Sequence, residues 1–210
     1  MTRIGVLASG RGSNFQALLG AQKRGELGGQ LVVLVSDRSD AGALSIASEN
    51  DVKAVAIPPK EFPSREAHEE AVVRTLEENG VELVCLAGYM RIVSAPLLKR
   101  YRGKILNIHP ALLPSFPGLH GQKQALAHGA KIAGATVHFV DEGCDTGPII
   151  MQATVPVMES DTEETLSARI LLEEHKIYPQ AVRLYCEGRL QVEGRRVHIL
   201  PPGQKKGDSK

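Results

Sequence analysis

Seven short apolar runs punctuate the chain, at Arg3 to Ala8, Leu31 to Ser36, Ala54 to Ile57, Leu83 to Ala87, Ile105 to His109, Ala135 to Val140 and Ile149 to Val157. Helical patterns separate most of them, over Asn14 to Arg24, Ala43 to Asn50, Arg65 to Asn79 and Ala95 to Tyr101. In the last, Pro96 falls in the first turn, where its missing N–H costs nothing. Strands that are apolar without alternation are buried on both faces, and strands alternating with helices imply parallel crossovers. The pattern predicts an α/β fold, a mostly parallel open sheet with helices on both faces.

After Pro156 the rhythm changes. Ser160-Asp161-Thr162-Glu163-Glu164 is an acidic, capped start to a long helix running towards Cys186, with an interruption expected near Pro179. Leu190 to Glu193 and Arg196 to Ile199 flank Gly194 as a small hairpin. A single domain is expected over 1–200, with a disordered tail over 201–210. The 42% hydrophobic content of the 210 residues is enough for a substantial core.

Charge and composition exclude several classes. Lys+Arg 25 against Asp+Glu 24 leaves a net charge of +1, without the basic patch that nucleic acid requires, and 4% aromatic content without Trp leaves few stacking platforms. Three cysteines without CxxC spacing argue against a disulfide framework or structural zinc and suit a reducing cytoplasm. No apolar stretch approaches a membrane span, and Ile4 to Ala8 is too short for a signal-peptide core.

The chemistry concentrates at two places. Asn107 and His109 close an apolar run and, as i and i+2 on a strand, share a face. One can hold a carbonyl oxygen while the other moves a proton. Downstream, Gly134 to Phe139 is another strand, and the Gly-rich turn after it carries Asp145, within reach of the imidazole. Amide, imidazole and carboxylate suggest acyl-group chemistry. The plain alternative, two strand-end residues capping backbone groups, is weakened by the proline-stiffened connection Ala111 to His120 at the strand end where open α/β sheets bind ligands. Near the amino terminus, Gly10-Arg11-Gly12-Ser13-Asn14 at the first βα junction is a cradle for phosphate, which glycines let approach and the free N–H groups of a helix start attract. A dinucleotide site would want a third glycine where Phe15 stands, although Asp37 could imitate its ribose-binding acid. Cys144 could be a nucleophile, and His109, His120, His128, His138 and Asp145 could be metal ligands, but neither a thiol-activating setting nor HxH or HxxxH spacing supports them.

Together, Gly10 to Asn14, Leu86-Ala87-Gly88-Tyr89-Met90-Arg91-Ile92-Val93, Asn107-Ile108-His109-Pro110-Ala111-Leu112-Leu113-Pro114, and Gly134 to Val140 with Asp145-Thr146-Gly147-Pro148 closely resemble the phosphoribosylglycinamide formyltransferases. The likeness runs over roughly residues 2 to 200. It implies a Rossmann-like formyltransferase fold and transfer of formyl from the cosubstrate 10-formyltetrahydrofolate to glycinamide ribonucleotide in purine (IMP) synthesis. Those two small molecules would be the partners, without metal, nucleic acid or membrane. A homodimer is compatible with the chain, but the sequence does not fix the oligomeric state.

Carried over by position, the catalytic trio maps onto Asn107, His109 and Asp145. The ribonucleotide phosphate falls on Gly12, Ser13 and Asn14, flanked by Phe15 and Gln16, with Glu174 near the glycinamide end. Formyl-folate falls on Arg65, the backbone of Met90, Arg91, Ile92 and Val93, and the loop from Val140, Asp141 and Glu142 to Asp145, as well as Asn107. Two departures stand out. Near Leu171 the family often has a polar side chain, so the resemblance does not carry over a secondary phosphate or substrate contact there, and Gly143-Cys144 differs from common versions of the pterin loop.

The residues suggest a mechanism consistent with this. Asn107 and protonated His109 stabilise the oxygen of a tetrahedral intermediate, where one such donor is typically worth about 3 kcal/mol. His109 then delivers a proton to the departing folate nitrogen, and Asp145 favours the charged ring and anchors a relay water. Three rivals share parts of the pattern. A formyltetrahydrofolate hydrolase would show a His-His pair where this chain has His109-Pro110, and would carry an amino-terminal regulatory domain. Methionyl-tRNA formyltransferase would add an RNA-binding domain for which length and charge leave no room. A non-catalytic nucleotide-binding module, or a dehydrogenase, would use only the Gly-rich loop.

Overall fold

Strand direction divides the sheet into two parts. The computed structural model describes residues 1–204, so most of the expected tail lies outside the described residues. In chain order the main strands are β1 (Thr2–Leu7), β2 (Gly29–Ser36), β3 (Lys53–Ala56), β4 (Leu83–Leu86), β5 (Ile105–His109), β6 (Ile132–Phe139) and β7 (Ile149–Pro156). They form one sheet in the order β3-β2-β1-β4-β5-β6-β7. The first five run parallel, while β6 and β7 are antiparallel to their neighbours.

Helices α1 (Ser13–Lys23), α2 (Gly42–Ser48), α3 (Arg65–Glu78), α4 (Ala95–Arg100), α5 (Gly121–Ala127) and α6 (Glu163–Cys186) cover both faces. Neighbouring residues of one strand feed opposite cores. Leu83 and Cys85 pack with Phe15, Leu18, Tyr178 and Val182 from α1 and α6, whereas Val84 and Leu86 pack with Val72, Leu76 and Leu97 from α3 and α4. Burial on both sides explains the unbroken apolar runs.

The long helix α6 corrects one expectation, because Pro179 does not interrupt it. A proline inside a helix removes one backbone hydrogen bond and crowds the carbonyl four residues earlier. Here packing outweighs that loss: Ile177, Tyr178, Pro179, Ala181 and Val182 are all buried, and the Tyr178 hydroxyl donates towards Leu86 O (2.8 Å) and Leu106 O (3.1 Å). Two short elements escaped the periodicity, α5 and a 3-10 turn over Pro59–Glu61. The hairpin β8 (Leu190–Glu193) and β9 (Arg196–Ile199) forms as expected.

The strand order reverses between β1 and β4: β1 leads away to β2 on one side, and the chain returns on the other. A crevice opens at such a switch point, outside the carboxyl ends of the strands. The Gly-rich loop after β1 and the loop after β4 meet there, with Ser9 N donating to Gly88 O (3.1 Å) and Met90 N to Ser9 Oγ (2.9 Å).

Candidate active site

At the end of β5, the antiparallel register sets Asn107 directly opposite His138 and His109 opposite Thr136. The Asn107 amide lies 3.1 Å from His138 Nε2, and the other nitrogen of that ring contacts Phe139 O at 2.8 Å. A carbonyl can only accept, so His138 carries its hydrogen on Nδ1, and in the neutral ring Nε2 is free to accept from Asn107.

His109 is 4% exposed, with oxygen acceptors at both ring nitrogens: Phe116 O lies 2.9 Å from Nε2 and Asp145 Oδ2 lies 3.3 Å from Nδ1. Only a ring with a hydrogen on each nitrogen satisfies both. Asp145 itself is gripped from several sides. Gly118 N donates to its Oδ2 at 2.8 Å, Asn107 Nδ2 approaches Oδ1 at 3.4 Å, and His138 Nε2 stands 3.6 Å from Oδ1. Burial pushes this carboxyl up, but the neighbouring His138 and His109 rings and the hydrogen bond from Gly118 N outweigh burial and hold it at about 2. It is an anion throughout the physiological range.

The backbone around this cluster is unusual. Of the four non-glycine residues with left-handed φ among the described residues, Phe116 (56°), His120 (60°) and Asp145 (55°) lie in the two loops that meet over His109. Such conformations persist where surrounding structure over-determines them. The turn after Asp145 also needs Gly147, since a Cβ there would stand 1.7 Å from Phe139 O.

At the other side of the crevice, Gly12 caps α1 with φ 85°, and a Cβ on it would meet Ala43 Cα at 2.8 Å, so the loop requires glycine twice over. Gln16 N bonds Gly12 O at 2.8 Å, which leaves the amides of the preceding turn to an anion. Phe15 is fully buried in the core and offers a ligand only its backbone, whereas Gln16 is exposed. Asn14 and Glu174, 160 positions apart, meet: Asn14 Nδ2 donates to Glu174 Oε2 at 2.6 Å, both residues are buried, and Asn14 Oδ1 has no protein partner. Burial raises the Glu174 carboxyl despite that hydrogen bond.

The loop after β4 presents Met90 and Ile92, 65% and 62% exposed, while Val93 turns into the core. Arg65 opens α3 and its guanidinium donates to Ile92 O. Val140 and Asp141 are half-buried and Glu142 is exposed, with Asp141 Oδ1 accepting from Thr146 Oγ1 (2.6 Å) and Gly143 N (3.1 Å) to shape the turn towards Asp145.

The alternatives fare less well. Among the described residues, no group of three or more His, Cys, Asp or Glu could hold a metal. Burial, the Asp145 charge and a hydrogen bond to it raise the Cys144 thiol, the reverse of what a nucleophile needs. Asp37 Oδ1 is buried without a partner, and the hollow beside the Gly-rich loop is lined instead by Arg11, Arg38 and Asp40. The sequence reading missed His138 as a partner of the amide, and it missed the backbone of Phe116 and Gly118. Strand alternation places His138 on one face with Thr136, but only the register shows that face to be the one Asn107 shares.

An open α/β sheet thus brings an amide, an imidazole and a carboxylate together at the carboxyl end of β5, beside the switch-point crevice. The formyl transferase family model matches residues 2–182, and the chain belongs to that family. Within it, the chain is 44% identical over 183 residues to the phosphoribosylglycinamide formyltransferase of Bacillus subtilis, covering 87% of this chain and 94% of that one. It superposes on the crystal structure of glycinamide ribonucleotide transformylase 1 from Symbiobacterium toebii with a TM-score of 0.95 and 56% identity, covering 96% and 95% of the two chains. It is also 46% identical over 191 residues to the trifunctional purine biosynthetic protein adenosine-3 of Drosophila pseudoobscura pseudoobscura, covering 90% of this chain and spanning only 14% of that relative.

Proposed function

We propose that this chain transfers the formyl group of 10-formyltetrahydrofolate to the amine of 5-phosphoribosylglycinamide, a reading supported by relatives named phosphoribosylglycinamide formyltransferase and glycinamide ribonucleotide transformylase. The observation that carries the reading is the meeting of Asn107, His109 and Asp145 within hydrogen-bonding range at the end of β5.

In this reaction the amine attacks the formyl carbon, negative charge grows on the formyl oxygen, the bond from carbon to folate N10 breaks, and a proton must reach that nitrogen. The Asn107 amide has one firm contact, to His138, and one long contact, to Asp145 at 3.4 Å. The long one is the donor it can turn to the oxyanion, with His138 keeping the amide oriented. His109 supplies the proton. Its Nε2–H is held by Phe116 O, and its contact to Asp145 is the longer, so Nδ1 is the site from which a proton leaves, directly or through a water on the Asp145 carboxylate. Asp145 stays ionised and stabilises the charged ring before transfer. The amine's own proton returns to solvent or to the same relay.

Gly12, Ser13 and Asn14 take the phosphate and Glu174 the glycinamide end, with Phe15 and Gln16 beside them. Folate takes Arg65, the backbone of Met90 to Val93, and the Val140 to Asp145 loop. A near-neutral charge and three free cysteines support a cytoplasmic setting with only these small molecules as obligatory partners. A homodimer is tested by sedimentation.

The assay mixes the protein with 10-formyltetrahydrofolate, with and without the ribonucleotide, and follows folate absorbance. Amine-dependent loss of formyl is the expected result. Equal loss without the amine would make the protein a hydrolase, and no loss in either arm would leave a binding module.

A further inference from the structure

The loop over Met90 to Val93 carries no regular structure of its own, yet both its ends are fixed. Ser9 Oγ accepts from Met90 N at one end. At the other, Ser94 N donates to Glu69 Oε1 at 2.7 Å. Glu69 lies in the first half of α3 and is 5% exposed, an uncommon setting for a carboxylate. Arg65, one turn earlier, reaches Glu69 Oε1 at 4.0 Å and also donates to Ile92 O. Residues four apart share one helix face. That face of α3 thus holds the loop at Ile92 and at Ser94, using a backbone carbonyl and a backbone amide, while Arg65 and Glu69 hold each other.

A buried carboxylate is costly unless its oxygens are bonded, and Glu69 is only partly satisfied, since Oε2 has no protein partner. Replacing it by an apolar residue would serve the core better. What it does supply is a fixed acceptor for Ser94 N, at the point where the loop turns into α4, and a fixed neighbour for Arg65.

We propose that Glu69 is a positioning residue for the folate cosubstrate: through Ser94 N and Arg65 it sets the backbone of Met90 to Val93 in the form that binds 10-formyltetrahydrofolate, without touching the cosubstrate itself. This rests on the formyl-transfer reading above. It separates Glu69 from Glu70, the next residue, which is exposed and serves as the control.

The test compares wild type with Glu69→Ala, Glu69→Gln and Glu70→Ala. Three quantities are read: KM for each substrate, Kd for a folate analogue that cannot transfer formyl, and amide hydrogen exchange over 88–94. Loss of a hydrogen bond to a charged group predicts a rise of about tenfold or more in folate KM and analogue Kd for Glu69→Ala. The ribonucleotide KM should stay within about twofold, because the phosphate cradle belongs to other elements. Glu69→Gln keeps an oxygen for Ser94 N and should recover most of the loss, and exchange over 88–94 should quicken in Glu69→Ala alone. If Glu69→Ala does not fold, Glu69→Met, similar in length and without an oxygen, takes its place. Unchanged folate constants, or equal losses for both substrates, would overturn the proposal while wild type still transferred formyl. Failure of wild type to transfer would instead overturn the function, and the analogue Kd and the exchange would still report on Glu69.

Discussion

Around His109, side chains and backbone from three segments converge on a few buried atoms, whereas the Met90 to Val93 loop exposes its large side chains and is held through its backbone. Under the proposed formyl transfer, the difference follows from what each region would do. Charge develops at one carbon and one nitrogen, so donors there must be placed before the substrate arrives, in a setting with little water. A flat heterocycle is recognised by shape and backbone hydrogen bonds, which tolerate changes of side chain. Perturbing the first region should therefore lower turnover, and perturbing the second should weaken binding.

The largest expected effect is that of His109→Ala. If His109 is the proton donor proposed above, its removal should lower kcat by roughly a hundred- to ten-thousand-fold, while Kd for a non-reactive folate changes by no more than a few-fold. Equal damage to both would break the contrast, since the ring would then be part of the binding surface.

Asp145→Asn comes next and has two readouts. An amide can accept from Gly118 N but cannot supply the charge that faces His109, so turnover should fall by about tenfold to a hundredfold. The pH–rate profile should change shape as well; an identical profile would mean that acid and ring are not coupled. The second readout is stability. The folded carboxyl sits at about 2 against an ordinary 3.8, so its contribution is present in full above pH 4 and is lost as pH falls through 2. Asp145→Asn should remove that part of the acid dependence. Acid titrations followed by circular dichroism, parallel for variant and wild type across pH 4 to 2, would contradict the assignment.

How far these regions could be read from the chain differs for the same physical reason. The pairing of Asn107 with His109 is legible because strand periodicity puts residues 107 and 109 on one face, and Asp145 because a Gly-rich turn follows the next strand. Their mutual geometry was not. Whether β6 runs parallel or antiparallel to β5 is invisible in an apolar run, and that direction alone brings His138 opposite Asn107. Backbone acceptors such as Phe116 O leave no mark in residue type. In the fold, Pro179 misled because local propensity yields to burial of the turns on either side of it. The helix α5 was missed because seven residues, with Gly121 and Ala125 the buried ones, show too little apolar periodicity. Glu69 is one of several acids on a charged helix, and its burial marks it out.

Ile92→Ala sharpens the other side of the comparison. Its side chain is 62% exposed and packs on little, so stability should be unchanged. If the loop receives folate, covering that side chain contributes about 1 kcal/mol, and folate KM should rise by roughly three- to tenfold at constant kcat. A fall in kcat instead would tie this loop to the placement of the reacting carbon.

The smallest effect is expected at Cys144, whose position beside Asp145 makes the prediction informative. Its thiol is exposed, its Sγ lies 3.6 Å from Asp145 Oδ2, and its raised pKa keeps it protonated, so it adds one weak donor to a carboxylate that already accepts from Gly118. Cys144→Ala should leave kcat and both KM values within about twofold, because only one weak, exposed donor is lost from a carboxylate that keeps its bond from Gly118 N. A loss approaching that of His109→Ala would require a thiol nucleophile and a covalent formyl-enzyme, and the Asn107 amide would then serve a thioester instead of a direct transfer.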